Sequence, residues 1–210
     1  MNGSCRLAPP IAVLVAVAVL NGCAPKKNYP ERRYYVFDVS HPKEASSPPH
    51  DAVLSVRRFR VSPRYEGKGF VYRDGDLSYQ SDFYNEFLIS PGSLLTEEVR
   101  QWLVSSDLFQ HVVDSSSHLE ATYFLEGNVT ALYGDYREAA APTAVLDIQF
   151  FLINDVAARS EVVFQKEYRE AVSLDGPSAK ALVSGWNTAL RQILTTLEQD
   201  LRAVDLRGEQ

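Results

Sequence analysis

Apolar residues fall along the chain with two different periods, and the change from one to the other marks out the elements. A period of two runs through YYVFDV (34–39), AVLSVRRFRVSP (52–63) and GFVYRDGDLSYQ (69–80), predicting strands, the last a hairpin turning at Asp74, Gly75 and Asp76. DFYNEFLI continues extended until Ser90, Pro91 and Gly92 break it. There the period lengthens. Leu95, Val99, Trp102 and Leu103 recur at helical spacing behind a Ser90 cap, with Pro91 in the first position, where no amide donor is needed. HVVDS and then ATYFLEGNVTALYG return to the period of two, with Tyr123, Leu125, Val129, Ala131 and Tyr133 predicted inward against Glu126, Asn128 and Thr130. TAVLDIQFFLIND and EVVFQKEYREAVSL add two long strands, with Asn154 and Asp155 expected to begin the turn between them. The chain closes with a helix over about Ser178 to Val204, striped by Leu182, Trp186, Leu190, Ile193, Leu197, Leu201 and Val204.

A helix of that length with a single apolar stripe must lie across a surface, and the sheet formed by the preceding strands is the surface available. Strands, helix, strands, helix, without regular alternation, predict an α/β two-layer sandwich. Its sheet is mixed or mainly antiparallel, with two main helices on one face.

Before the first strand lies an uninterrupted apolar block, Ile11 to Leu20, preceded by Arg6 as its only charge. It is too short for a membrane-spanning helix, which needs about 20 apolar residues, and matches the core of a secretory signal. It ends in Leu20, Asn21, Gly22 and Cys23, which resembles the bacterial lipobox; the position two before the cysteine is more often Ala, Ser or Thr than Asn. The expectation is a signal peptide over residues 1–22, cleavage before Cys23, and a lipidated Cys23 carrying a diacylglycerol thioether and an acylated amine. A plain membrane anchor or a secreted chain with an incidental cysteine is the competing reading. Residues 23–32, polar and proline-punctuated, then form a tether, and residues 33–205 the folded domain. The other of the 2 cysteines, Cys5, falls in the removed part, so an exported domain would hold together without disulfides.

Removing the first 22 of 210 residues leaves 188, within the range of one domain, and losing Arg6 takes the net charge from -6 to -7. That balance argues against nucleic acid as a partner, since no basic stripe is present to displace counterions from phosphates. The local basic excess is Lys26, Lys27, Arg32 and Arg33, beside the anchor, where the residues are either solvated or set against anionic headgroups.

Chemistry is sparse. The 4 histidines, His41, His50, His111 and His118, lack ligand spacing and are expected to be solvated, with no metal. DGDLSYQSDFYNE offers Asp74, Asp76 and Asp82 as oxygen donors, but Tyr79 stands where a calcium loop needs glycine and Asn85 where it needs glutamate. NVT at Asn128 falls in mid-strand. There is no nucleophile elbow, phosphate loop or dinucleotide fingerprint, so neither an enzyme nor a cofactor is expected.

A lipobox, then YYVFDV, VLSVRRFRVSP, the run from Phe70 to Phe109 with its helix ending in SDLF, and a long C-terminal amphipathic helix together carry a family likeness. The chain resembles the ABC-type transport auxiliary lipoprotein family, paraquat-inducible protein C-like and associated with mammalian-cell-entry (MCE) domain lipid transporters. Members often carry an Arg-Trp pair just before the first helix, where Phe87 and Leu88 stand here. The resemblance implies a non-enzymatic periplasmic component. It would dock or tether an MCE-domain protein with its ABC ATPase and permease, held to a membrane by its N-terminal lipid. Ala24 after the cysteine, in place of aspartate, favours the outer membrane over the inner.

Two mechanisms remain open, docking through an edge or aromatic patch and carriage of lipid in an apolar cavity. Strands that alternate cleanly with charge favour docking. An envelope-assembly lipoprotein that activates a cell-wall synthesis enzyme has a similar element order and is the reading outside transport. Tyr72, Tyr79, Phe83, Tyr84 and Phe87 crowd one segment. They either pack beneath the first helix or form a partner or homo-oligomer contact.

Overall fold

A computed structural model describes residues 31–42, 48–156 and 159–206. The lipobox Leu20, Asn21, Gly22 and Cys23, and the tether as far as Pro30, lie outside the described residues. From Arg32 onward the elements run β1 (Arg33–Tyr35), β2 (His50–Val56), β3 (Arg60–Val61), β4 (Gly69–Arg73), β5 (Tyr79–Phe87), α1 (Pro91–Ser105), β6 (Phe109–Asp114), β7 (Tyr123–Asp135), β8 (Thr143–Val156), β9 (Arg159–Ser173) and α2 (Ala179–Ala203).

One long strand organises the sheet. β8 takes the whole of one edge of β7, antiparallel from Tyr123 opposite Asn154 to Asp135 opposite Thr143. The other edge is shared by three short strands in turn, all parallel to it: β2 at Tyr123–Leu125, β3 at Asn128–Val129 and β4 at Gly134–Asp135. β6 then adds to β2, β5 to β4, and β1 to β5, while β9 adds to β8. The sheet is mixed, and the two helices complete the expected sandwich.

The sequence reading of 52–63 as one strand therefore needs correcting, because it breaks at Arg57–Phe59 into β2 and β3. The break brings the Phe59 ring over Gly127, where an added Cβ would lie 2.6 Å from ring carbons. Tyr133 also differs from expectation. A bulge leaves Thr130 out of the register with β8, so the alternation changes phase: Ala131 and Leu132 are both buried and Tyr133 turns to the face away from α2. Asn154 and Asp155 are still paired strand, opposite Glu161 and Ser160.

Ala144, Leu146, Ile148, Phe150 and Leu152 on β8 alternate into the core and meet the α2 stripe from Leu182 to Leu201. Burying each large apolar side chain in such a seam stabilises by about 2 kcal/mol relative to exposure. The Trp186 indole sits in that seam, its N–H donating to the Val145 carbonyl at 3.2 Å. Both helices are capped as the sequence implies: Ser90 accepts from the Ser93 amide and Ser178 from the Ala181 amide. Beyond the end of α1, Asp107 takes a left-handed backbone (φ 51°), which Asp tolerates better than most residues, and Leu108 turns back into the core.

The first predicted strand is shorter than YYVFDV. After Tyr35 the backbone leaves the sheet and crosses the helices, with the Asp38 amide donating to Asn187 of α2 and the Val39 amide to Glu98 of α1. Helix side chains take the place of a strand partner, and Phe37 and Val39 are buried as a result.

Candidate functional site

The structure sends the five crowded aromatics to three different places. Phe87 is only 2% exposed and stacks among Phe37, Phe70 and Trp186, so it serves the core. Tyr72 is half-buried, edge-on to Tyr136, and its hydroxyl donates to Asp82 at 2.8 Å. Tyr79, Phe83 and Tyr84 reach solvent.

Phe83 and Tyr84 project from a bulge with a definable cause. Gly69 of β4 pairs with Glu86, but Val71 pairs with Ser81, so β5 places four residues, 82 to 85, against Phe70 alone. Asp82 closes this excursion as an Asx turn: one carboxylate oxygen accepts from the amides of Tyr84 at 2.7 Å and Asn85 at 3.0 Å. The other accepts from Tyr72 and from the Asn85 side-chain amide. Burial works against the Asp82 charge, yet the bonds from Asn85, Tyr72 and the two amides outweigh it and hold the carboxyl below its ordinary range. Burial, and then Asp82 beside it, push the Tyr72 phenol far up, keeping it a donor. Gly69 permits the close approach, since a Cβ there would meet the Asp82 carbonyl at 2.6 Å. The bulge thus presents two aromatic rings, edge to face at 5.3 Å, on a fixed base. Bulges re-aim side chains in this way beside functional surfaces. The Asp82-x-x-Asn85 spacing was the only sign of it in the sequence.

Tyr79 belongs to a second cluster, on the sheet face away from the helices. The turn of phase at Thr130 sends Tyr133 to this face, where its ring stacks on Tyr65 and meets Tyr79 edge to face at 5.9 Å. Arg64 and Arg73 lie over the Tyr79 ring at 5.9 and 5.7 Å. Leu77, in the β4–β5 turn beside it, is 97% exposed. Burial is the first cause that raises the Tyr65 phenol, reinforced by Tyr79.

The histidine expectation fails at two positions, because His50 is part of β2 and packs on Phe109, and because the His41 side chain is only 8% exposed. His41 belongs to a node that nothing in the sequence brings together. Glu198 of α2 bonds His41 Nε2 at 2.8 Å and accepts from Trp102 Nε1 of α1 at 3.0 Å and from Arg202 at 2.7 Å. Arg202 also donates to the Ser106 carbonyl at the end of α1. Burial opposes the Glu198 charge, but the bonds from Arg202, His41 and Trp102 hold its carboxyl below the ordinary value. Four residues from three segments thereby bolt the crossing strap to both helices.

The surface clefts are open and charged. One of about 560 Å³ between β3 and the start of α1 is lined by Arg58, Arg60 and Glu66 with Phe59 and Val61. Another of about 440 Å³ is lined by Arg57, Arg60, Glu126 and Gln149. Asp74, Asp76 and Asp82 do not converge: Asp74 accepts from Gln80, Asp76 pairs with Arg137, and Asp82 closes the bulge. No cluster of His, Cys, Asp or Glu able to hold a metal ion occurs among the described residues, nor any helix long and apolar enough to cross a membrane.

The sequence matches no family model and no curated protein. Solved structures do resemble it. Protein XCC0632 from Xanthomonas campestris, of the DUF330 family, aligns with a TM-score of 0.69 at 18% identity over 79% of this chain and 92% of its own. An uncharacterised protein aligns at 0.63 and 17% identity, covering 81% of this chain and 99% of that one. The chain shares their fold. The hypothetical protein CT253 from Chlamydia trachomatis lies further off, at 0.50 and 11% identity over 73% of this chain and 99% of its own. At such identities the likeness is one of architecture, and function must be argued from the surfaces.

Proposed function

We propose that this protein is a lipid-anchored periplasmic lipoprotein of the bacterial envelope that works by docking, as the auxiliary component of an MCE-type ABC lipid transport system. Cys23 carries the lipid, residues 23–32 tether the domain, and the outer membrane is the preferred site given Ala24. The domain holds the MCE-domain protein, with its ATPase and permease, near one membrane without catalysing a reaction.

The observation that carries this reading is the tyrosine and arginine cluster around Tyr79. Tyr and Arg are the side chains enriched where interfaces concentrate their binding energy. Here they sit on a rigid sheet, beside the protruding Leu77. The carrier alternative draws little support from clefts lined by Arg58, Arg60 and Glu66, because a lipid tail needs apolar walls.

Tyr79→Ala tests the proposal. Truncating a buried anchor of an interface costs on the order of 2 kcal/mol, about 30-fold in affinity. Co-purification with the MCE-domain protein should fall accordingly while the melting temperature changes by a few degrees only. If every loss of association tracks a proportional loss of thermal stability across Tyr72→Ala, Tyr79→Ala and Tyr84→Ala, these rings are core and the partner binds elsewhere.

A further inference from the structure

We infer that the β1–β5 edge is a membrane-interface seat that orients the domain against the bilayer carrying its anchor. This rests on the lipoprotein reading above and goes beyond it.

The exposed apolar residues of the domain are not scattered evenly. Tyr34, Val36, Phe83, Tyr84, Leu88 and Ile89 are all exposed, and all belong to β1, to the bulge and end of β5, or to the residues just after them. Backbone pairing holds them together. Tyr34 lies opposite Glu86, and the Leu88 amide donates to the Tyr35 carbonyl at 2.9 Å. Phe83 is 64% exposed although Asp82 fixes the turn that presents it.

Basic groups border the same edge, in a chain whose net charge is -6. The Arg32 guanidinium lies over the Phe83 ring at 4.2 Å and pairs with Glu86 of β5 at 3.5 Å. Lys68 donates to the Leu88 carbonyl and Arg58 to Ser90, which places both cations beside the Leu88–Ile89 turn. Aromatic and aliphatic side chains bordered by Lys and Arg suit the boundary between acyl chains and anionic headgroups.

The chain outside the structure names the occupant. The tether between Cys23 and Arg32 reaches at most roughly 30 Å. It joins the domain at Arg32, whose side chain rests on Phe83. Whichever bilayer holds the lipid therefore lies within a short chain length of this edge. The Tyr79 cluster, at the opposite end of β5, stays free for a partner.

The test uses the full chain, lipidated and reconstituted into vesicles of phosphatidylglycerol and a phosphatidylcholine brominated near the top of its acyl chains. Trp102 and Trp186 are buried and supply a constant background. Phe83→Trp places a reporter in the seat. Leu119→Trp places one in the exposed loop before β7, beyond β6 at the other end of the strand order. Insertion of an apolar face by about 5–10 Å should quench the Phe83→Trp signal roughly twofold or more and shield it from aqueous iodide. Leu119→Trp should show neither effect. Tyr84→Trp reads the same surface should Phe83→Trp fail to fold. Equal iodide access at both reporters, with no bromine quenching, overturns the seat while leaving the anchor intact. Shielding that appears only when the MCE-domain protein is added overturns it in favour of a protein contact. A mature chain without lipid at residue 23 overturns both readings together.

Discussion

Replacing Glu198 with alanine should destabilise the domain by about 2–4 kcal/mol. The side chain is 14% exposed and receives three bonds, from His41, Trp102 and Arg202, at 2.8, 3.0 and 2.7 Å. A hydrogen bond to a charged group contributes roughly 1.5–3 kcal/mol, and removing one member of a buried pair about 3–5 kcal/mol. The lower part of that range applies, because Arg202 keeps its bond to the Ser106 carbonyl and is itself 28% exposed. At about 2–4 °C per kcal/mol for a domain of this size, the melting temperature should fall by about 5–15 °C. Urea unfolding should show a lower midpoint with an unchanged slope.

The pH dependence carries a sign. The folded Glu198 carboxyl is held below its ordinary value of 4.5, so its stabilising contribution is complete above that value and is lost as pH falls through the lowered folded one. The advantage of the wild type over Glu198→Gln should accordingly shrink in the acid range, as pH falls from the ordinary carboxylate value through the lowered folded one. A double-mutant cycle with Trp102→Phe should return a coupling of at least about 0.5 kcal/mol. A loss below about 0.5 kcal/mol for Glu198→Ala, or strict additivity in the cycle, would refute the view that this node joins the helices.

Cys23→Ser should block lipidation and leave an uncleaved precursor at the inner membrane; intact mass spectrometry of the membrane extract decides it, and a mature form starting elsewhere sinks the anchor. Gly127→Ala forces a Cβ to within 2.6 Å of the Phe59 ring and should cost about 1–3 kcal/mol in urea unfolding, while Phe59→Leu in the same background should recover part of the loss. Residues 33–205 expressed alone should fold without metal or disulfide, and a melting temperature lowered by chelator or reductant would contradict that.

Much of the fold was legible because it rests on period and local chemistry. The α2 stripe, the Ser90 and Ser178 caps, the hairpin at Asp74–Asp76 and the long pair β8 and β9 each follow from residues a few positions apart. The candidate surface was legible only in part. Composition drew attention to Tyr72, Tyr79, Phe83, Tyr84 and Phe87, but which of them face solvent depended on a bulge set by Gly69 and Asp82, and on the phase change at Thr130 that turned Tyr133 towards Tyr79. Alternation is a rule about one strand, and a single extra residue reverses it for everything downstream. His41 shows the other limit. Its partner Glu198 lies 157 residues away, and a lone histidine after a strand carries no local mark of the helix that will cover it. What the chain determined by itself were those elements whose apolar spacing and caps act within a turn or a strand. Tertiary structure decided the rest, because burial of His41, exposure of Phe83 and the sharing of one β7 edge by three short strands depend on which segments meet across the sheet.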